Sequence, residues 1–593
     1  MFEALRNMLH RAQGWNIRAR TFYRKHLYPT LAPIYAVLGF ISLLILVAEF
    51  GFPAPVAWED FERRLLIALV YLLWSYEVLS FWSAPRSSFR ARLRESRLQL
   101  ALITIAGLFL VLGFFLRESP FESEGRLALV VLVANQVVLL FGALVHLIRR
   151  TQFMSFRTIN PSLVFVLSFA SVILVGFGLL LLPRMHATRI EPLDLFFTAV
   201  SAVCVTGLST IDIARELSRP GQVVLLCLIQ IGGLGLMTLT TFFAYLLTGR
   251  ASVGTRMLMR DLISDPVLGR VRTIIGRVAG FTFSIELVGA AYLYWNMPAA
   301  VPGGVRERIF VSVFQSISAF CNAGFSLHSL EGPPSTLYLA GYMVLITLGG
   351  LGFPVLTELA ARAWRSERRI RHFSVATRLT LLTSALLFVV ASIAFFVLER
   401  HQSLRGSSLS ESFVHSLFYA VTLRTAGFNT VPIGELGLTM AFLSCFFMWV
   451  GASPMSTGGG IKTSTLSLSF LHIVGQLTGK SEVEVFSRTV AESSVSRAFS
   501  TIVLSFFAIF GGIFALTLLE DAPFIDLVFE AVSAFGTVGL SRGVTSALST
   551  PGKLVLCILM LVGRVGIMTA LVALTPAART VSYRFPREYV AVG

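Results

Sequence analysis

The stretch Ser201-Ala-Val-Cys-Val-Thr-Gly207-Leu-Ser209 recurs in altered form at three later places in the chain. The later copies are Ser318-Ala-Phe-Cys-Asn-Ala-Gly324-Phe-Ser326, Val421-Thr-Leu-Arg-Thr-Ala-Gly427-Phe-Asn429 and Ser533-Ala-Phe-Gly-Thr-Val-Gly539-Leu-Ser541. Successive glycines are 117, 103 and 112 residues apart (324 − 207, 427 − 324, 539 − 427). Each copy follows a short apolar segment and precedes a long one. Repetition of this kind is typical of folds built from duplicated units, and it predicts four repeats around one axis.

The composition predicts a polytopic, all-α membrane protein. Of the 593 residues, 55% are apolar and only 14% are charged. Runs of roughly 20 apolar residues, the length that crosses a bilayer core, recur along the chain. They leave no room for a large soluble domain, so we expect no enzyme. The formal net charge is +17, but the basic residues fall in alternate loops, as in membrane proteins generally. This distribution argues against nucleic-acid binding.

Apolar runs and loop charges together predict twelve full spans and four half-length, re-entrant helices. Four spans within residues 1–155 form an additional N-terminal membrane region, interpreted as a structural or oligomer-facing bundle. The pore domain then covers 156–593, in repeats of about 156–260, 261–372, 373–490 and 491–593. Each repeat has an outward helix, a half-helix that ends in the glycine loop, and an inward helix. Basic inside loops predict that both termini are cytoplasmic.

The glycine loops are predicted to form a cation filter. A half-helix that enters from outside directs its carboxyl end, which carries partial negative charge, toward the membrane centre. Glycine permits positive φ and close approach of carbonyl groups, and rings of carbonyls replace the hydration shell of a cation. The predicted filter residues are Val205, Thr206, Gly207, Asn322, Ala323, Gly324, Thr425, Ala426, Gly427, Thr537, Val538 and Gly539.

Arg424 lies three residues before Gly427, where a positive charge should repel a cation. We predict that its side chain points away from the axis and pairs with a carboxylate behind the loop, Glu530 or Asp526. The sequence does not decide between these two partners.

The segment Gly451-Ala-Ser-Pro-Met-Ser-Thr-Gly-Gly-Gly-Ile-Lys-Thr463 interrupts the apolar run of the third inward helix. Proline and three glycines cannot continue a regular helix, so we predict a gating loop just below the filter. A phosphate-binding loop is excluded because Ile461 separates Gly460 from Lys462. Arg564, a charge inside the fourth inward helix, is predicted to touch this loop. The predicted gate residues are Ser453, Pro454, Ser456, Thr457, Gly458, Gly459, Gly460, Lys462 and Arg564.

Several of these segments resemble the Trk/Ktr/HKT superfamily of potassium transporters, and most closely the KtrB-type membrane subunits of bacterial Ktr systems. The likeness is carried by Cys204-Val-Thr-Gly-Leu208, Arg424-Thr-Ala-Gly-Phe428, the 451–463 segment and the tail Phe585-Pro-Arg-Glu-Tyr-Val-Ala-Val-Gly593. It covers the chain from about Pro161 onward. The first 150 or so residues have no counterpart in the resemblance.

The resemblance implies several properties that the composition does not show. Proteins of this type are homodimers with one pore per subunit, and they sit on a cytosolic ring of KtrA-like nucleotide-binding subunits. They lie in the bacterial inner membrane. Their transported ion is K⁺, Na⁺ often activates the flux, and glycine at all four filter positions favours potassium.

The sequence therefore predicts potassium uptake through a channel-like pore. Two alternatives remain open at this stage: a sodium-preferring or sodium-coupled cation transporter with the same fold, and a membrane sensor whose pore is vestigial.

Overall fold

The computed structural model describes residues 161–248, 271–298, 304–331, 335–364, 373–480 and 482–575, together with scattered positions between 22 and 107. The chain divides into two compact units. One comprises Met1–Phe156 with Leu182–Arg184 and Phe242–Val253, and the other holds the rest of the chain, including the filter loops. Most of the predicted N-terminal four-helix region and the whole tail after residue 575 lie outside the described residues.

The described residues of the first two repeats form eight α-helices. In the first repeat they are α1 Pro161–Leu180, α2 Pro192–Cys204, the single turn α3 Ile213–Glu216 and α4 Arg219–Thr248. In the second they are α5 Val271–Asn296, α6 Val305–Cys321, α7 Thr336–Leu351 and α8 Phe353–Trp364.

The described residues of the last two repeats form eight more α-helices. In the third repeat they are α9 Val375–Glu399, α10 Leu409–Thr422, α11 Leu438–Trp449 and α12 Thr463–Leu477. In the fourth they are α13 Glu492–Leu519, α14 Phe524–Gly536, α15 Thr550–Val565 and α16 Ile567–Leu574. A small antiparallel hairpin, β1 Glu484–Val485 with β2 Arg488–Thr489, joins the two repeats.

Within the described part of the chain, three helices are long and apolar enough to cross a membrane. They lie in Val278–Asn296, Val375–Glu399 and Glu492–Leu519, and the number rises to five if each of two bent helix pairs counts as one span. These helices are the outward helices of the second, third and fourth repeats. The fold is therefore that of an all-α, multi-pass membrane protein.

The four half-helices are α2, α6, α10 and α14, with 13, 17, 14 and 13 residues. Local sequence fixes where two of them begin. Pro192 occupies the first turn of α2, where its missing N–H is harmless, and Ser408 starts α10 with a capping box completed by Glu411. Each half-helix also buries a phenylalanine completely against the central core: Phe197, Phe314, Phe418 and Phe529.

Two of the inward helices differ from the prediction, because they are bent rather than continuous. The pair α7 and α8 bends by 106° at Gly352, and the pair α15 and α16 bends by 101° at Gly566. Both glycines have positive φ, 86° and 87°, a conformation that ends an α-helix and that glycine adopts without steric cost. A break was predicted in the third inward helix alone, but three of the four have one.

Candidate cation pathway

The glycines of the four loops lie around one axis and contact one another in cyclic order. A methyl group placed on Gly207 would lie 2.5 Å from the carbonyl oxygen of Ala323 and 2.9 Å from Cα of Gly324. A methyl group on Gly324 would contact Gly427, and one on Gly427 would contact Gly539. A methyl group on Gly539 would contact Thr206 and Gly207, which closes the ring. The ring is therefore too tight for any side chain at these positions.

The backbone conformation repeats in all four loops. Each glycine has positive φ, and so does the residue two positions before it. These preceding residues are Val205 at 56°, Asn322 at 58°, Thr425 at 65° and Thr537 at 51°. Three of the four are β-branched, and a β-branched residue with positive φ is a genuine outlier. Each such residue costs on the order of 1–3 kcal/mol and persists only where the surrounding structure imposes it. The surrounding structure therefore imposes the same strained conformation on all four loops.

A hydroxyl group near the end of each half-helix holds its loop in place. The Ser201 hydroxyl accepts a hydrogen bond from the Gly207 amide at 3.1 Å, and Ser533 does the same for Gly539 at 3.2 Å. In the other two repeats the hydroxyl donates instead: Ser318 to the Phe325 carbonyl at 2.7 Å and Thr422 to the Phe428 carbonyl at 2.6 Å. These residues were not predicted to be functional, although a serine occurs six residues before the glycine in three of the four copies.

The third loop departs from the others by one residue. In the first loop the Thr206 amide bonds the Ser201 carbonyl five residues back, and the second and fourth loops repeat this bond. In the third loop the Ala426 amide bonds the Thr422 carbonyl four residues back. Thr422 therefore stands where Ser201 stands, whereas alignment on the glycine alone places Val421 there.

The prediction for Arg424 is wrong, because neither proposed carboxylate reaches it. Asp526 is paired with Arg542, Nε to Oδ1 at 2.5 Å. Glu530 accepts hydrogen bonds from the Thr545 hydroxyl, the Ser541 hydroxyl and the Arg542 amide. Arg542 and the two hydroxyls follow the fourth glycine and so satisfy both acids within their own repeat.

The predicted gate segment is a loop between α11 and α12 that contacts two half-helix ends. The Thr457 hydroxyl donates to the Phe320 carbonyl at 3.3 Å, and the Gly459 amide donates to the Thr537 hydroxyl at 3.0 Å. Its backbone is also hydrogen-bonded to α7: the Ser453 amide donates to the Gly350 carbonyl, and the Thr457 amide donates to the Gly349 carbonyl. The loop thus lies directly against the inner ends of the second and fourth half-helices.

The remaining loop residues are held by local contacts. A methyl group placed on Gly458 would meet the side chain of Thr425, and Gly460 has a positive φ of 65°. The Ser456 hydroxyl donates to the Ser453 carbonyl at 2.6 Å, and the Pro454 carbonyl lies against Gly352 at the bend of the second inward helix. Ser453, Thr457, Gly458 and Gly459 are all buried.

Two basic side chains donate hydrogen bonds to carbonyl groups of this loop. Arg564, which is 4% exposed, donates to the Thr457 carbonyl and also to the Gly232 carbonyl in the first inward helix. Lys462 donates through Nζ to the Gly458 carbonyl at 2.7 Å and to the Gly459 carbonyl at 3.3 Å. A buried charge is tolerated in a membrane protein when such polar partners surround it. Arg564 therefore connects the fourth repeat to the third and the first through backbone carbonyls.

On the side where the half-helices begin, each repeat is joined to the next by a polar contact. We call these four contacts the inter-repeat belt. Arg219 pairs with Glu307, Asn429 donates to Glu331 at 2.5 Å, Arg542 donates to the Ile433 and Leu436 carbonyls, and Lys553 pairs with Asp194 at 2.7 Å. The last pair is largely buried, with side chains 10% and 15% exposed. Together the contacts form a closed circuit around the glycine ring.

Comparison with known proteins identifies the family. The profile of a family described as TrkH, cation transport protein, matches residues 132–583. The Ktr system potassium uptake protein B of Bacillus subtilis is 36% identical over 442 residues, which cover 73% of this chain and 97% of that protein. The potassium/sodium uptake protein NtpJ of Enterococcus hirae is 32% identical, covering 74% and 98%.

A solved structure supports the same fold. The crystal structure of the potassium transporter TrkH from Vibrio parahaemolyticus matches with a TM-score of 0.59, covering 86% of this chain and 98% of that one. Its sequence identity of 19% supports a likeness of fold alone. The resemblance drawn from the sequence is confirmed, and so is the prediction that the chain is a transporter and not an enzyme. The chain belongs to the TrkH family of cation transport proteins.

Proposed function

We propose that this chain takes up potassium ions through the ring of glycine loops. One observation carries the proposal: four loops with the same unusual backbone conformation meet around one axis. Relatives at 36% and 34% identity are named Ktr system potassium uptake proteins, which supports K⁺ as the transported ion.

In this proposal the filter is made of backbone. Alternating left-handed and ordinary conformations turn successive carbonyls to the same side, so that each loop presents a short column of oxygens to the axis. Four half-helix carboxyl ends add partial negative charge around it. The side chains differ between repeats, which suits coordination by the carbonyls of the twelve residues from Val205–Gly207 to Thr537–Gly539.

The 451–463 loop acts as the gate. Its contacts with Phe320 and Thr537 put it against the inner ends of two half-helices, where it obstructs ion passage. Arg564 and Lys462 stabilise this obstructing position by binding four loop and helix carbonyls. Opening requires these hydrogen bonds to break, so that ions pass down the membrane potential without covalent chemistry.

The assembly follows the family pattern in this proposal. The chain is a homodimer in the bacterial inner membrane, with both termini in the cytoplasm and a KtrA-like nucleotide-binding ring beneath the pore. Residues 1–155 form a four-helix membrane region in addition to the 156–593 pore domain. Na⁺ serves as an activator. Co-purification of the full-length chain with a KtrA-type protein tests the partnership, and recovery of the chain without it from cells that express both would contradict it.

Growth rescue tests the transport function. The chain is expressed, alone and with a KtrA-type partner, in a bacterium that lacks its own potassium uptake systems and grows on limiting potassium. We expect rescue, and we expect Gly427→Asp to abolish it because the substitution puts a side chain into the ring. Absence of rescue in both settings, with the protein present in the membrane, would contradict potassium uptake.

A second candidate is transport of sodium, because a relative at 32% identity is named a potassium/sodium uptake protein. Efflux from proteoliposomes loaded with K⁺ or with Na⁺ separates the two functions. Flux that persists when Na⁺ replaces K⁺ would favour the sodium function. A sensor with a vestigial pore is disfavoured because all four glycine loops retain the same geometry.

A further inference from the structure

Arg424 lines a cavity that offers it no counter-ion. The cavity, of about 460 Å³, lies between α7, α9 and the end of α10. Two nitrogens of the guanidinium group, Nε and Nη2, are shielded from solvent and have no hydrogen-bond partner among the described residues. An isolated charge at this depth is costly in a low-dielectric environment, so the arrangement favours a negatively charged partner.

A second unsatisfied group lines the same cavity. The Ser384 hydroxyl on α9 belongs to a residue that is 7% exposed and finds no partner among the described residues. Thr347, also in the lining, satisfies its hydroxyl by donating to the Met343 carbonyl at 2.6 Å. The lining therefore combines one cation and one hydroxyl that has no partner among the described residues.

The rest of the lining is apolar. This apolar part of the wall is formed on α9 by Leu381, Ala385 and Phe388 and on α7 by Ile346. A small hydrated anion would gain nothing from these walls, whereas an acyl chain would be stabilised by them. The lining thus selects an amphipathic molecule with an anionic head and an apolar tail.

The neighbouring surface opens toward the bilayer. Leu382 and Leu386, beside the lining residues of α9, are 62% and 59% exposed, and Val344 of the lining is 58% exposed. Val344 and Leu348 also line a second, apolar cavity of about 880 Å³ between α5, α7 and α8. An acyl chain that enters from the hydrocarbon side has room along α7.

We propose that this cavity binds an acyl-chain anion from the bilayer, whose oxyanion head accepts hydrogen bonds from Arg424 and Ser384. The carboxylate of a fatty acid and the phosphate of an anionic phospholipid share this chemistry. The bound anion neutralises the charge next to Thr425, so that the third loop presents the same electrostatic environment to a cation as the other three. The site is a lipid site of the bilayer-facing surface and is separate from the ion path.

Retained lipid tests the proposal directly. The full-length protein is incubated with phosphatidylcholine vesicles that contain phosphatidylglycerol, oleate or neither, repurified in detergent, and its bound lipids are counted by native mass spectrometry. We expect retention of phosphatidylglycerol or oleate by the parent, and the two arms distinguish the phospholipid from the fatty acid. Arg424→Gln should reduce retention about tenfold, since hydrogen bonds to a charged group are lost. Arg405→Gln, at an exposed arginine, serves as the matched control.

A second variant keeps the test decisive if Arg424→Gln does not fold. Ala385→Trp fills the cavity and leaves the arginine in place, and it should reduce retention to the same extent. Equal retention of anionic lipid by the parent and Ala385→Trp would overturn the proposal, as would equal retention of phosphatidylglycerol, oleate and phosphatidylcholine by the parent. Because lipid binding is counted without measuring flux, this result is independent of whether the chain transports potassium.

Discussion

The four glycine loops are nearly copies of one another, whereas the four inward helices take three different forms. The loops share two positive φ angles and a hydroxyl that holds the chain, and the half-helix before each loop buries a phenylalanine. Among the inward helices, the first runs unbroken as Arg219–Thr248, the second and fourth bend by more than 100°, and the third is interrupted by the 451–463 loop. Duplicated segments have thus kept one half of their structure alike and changed the other.

The physical demands on the two halves explain this difference. Replacing the water around a cation requires oxygens on all sides, so every loop must present the same atoms. Obstructing a narrow path requires one segment on the axis, and four identical inserts would exclude one another by volume. Symmetry is therefore expected where the ion is bound and asymmetry where its passage is controlled.

The largest effect on ion flux is expected from a substitution at a glycine of the ring. Gly207→Ala should abolish potassium flux, because the added methyl group meets the Ala323 carbonyl at 2.5 Å and the residue must keep a φ of 93°. Flux is measured as potassium efflux from proteoliposomes. Gly178→Ala is the matched control, since a methyl group there has nothing within 4 Å. Parental flux in Gly207→Ala would show that the ring does not form the ion path.

A smaller effect on ion flux is expected from a substitution in the inward helices, which differ between repeats. Arg564→Gln removes the charge that binds the Thr457 and Gly232 carbonyls. Hydrogen bonds to charged groups contribute about 1.5–3 kcal/mol each, so the open population should rise about tenfold or more. Efflux without a regulatory partner is the measurement. Arg405→Gln should leave it unchanged. Efflux equal to or below that of the parent, at parental thermal stability, would rule out the locking role.

The smallest effect is expected at a hydroxyl that holds one of the four similar glycine loops. Ser201→Ala deprives the Gly207 amide of its acceptor, a loss of about 0.5–1.5 kcal/mol. We expect a few-fold drop in the ratio of K⁺ to Na⁺ flux, and Ser201→Thr should restore it. Ser500→Ala, which removes a helix-surface hydrogen bond of similar length, is the control. An unchanged flux ratio in Ser201→Ala would mean that the hydroxyl has no part in selectivity.

The sequence was sufficient to locate the four glycine loops because a glycine that requires positive φ is visible as a residue type. The half-helices followed from segments too short to span a bilayer. The bends at Gly352 and Gly566 were missed because a single glycine inside an apolar helix is often tolerated, and nothing local distinguishes one that ends the helix. The prediction of a separate 1–155 region stays a prediction.

The site was harder to predict where it depends on distant residues. Arg424 was assigned to Glu530 or Asp526 by charge alone, but Arg542, Ser541 and Thr545 in the fourth repeat satisfy those acids first. Similarly, Lys553 and Asp194 are 359 positions apart, and no periodicity in the sequence connects them. Pairing across repeats is decided by packing, which residue type and spacing do not reveal.

The inter-repeat belt has a consequence for how the protein is made. Lys553, in the last repeat, pairs with Asp194, in the first, so the belt stays open until nearly the whole chain has been synthesised. Contacts of such sequence separation form late, because the entropy of closing a long loop must first be overcome. The first three repeats must therefore wait in the bilayer with the circuit open between the third repeat and the first. We expect chains truncated before α15 to be inserted into the membrane but degraded by proteases faster than the full-length chain.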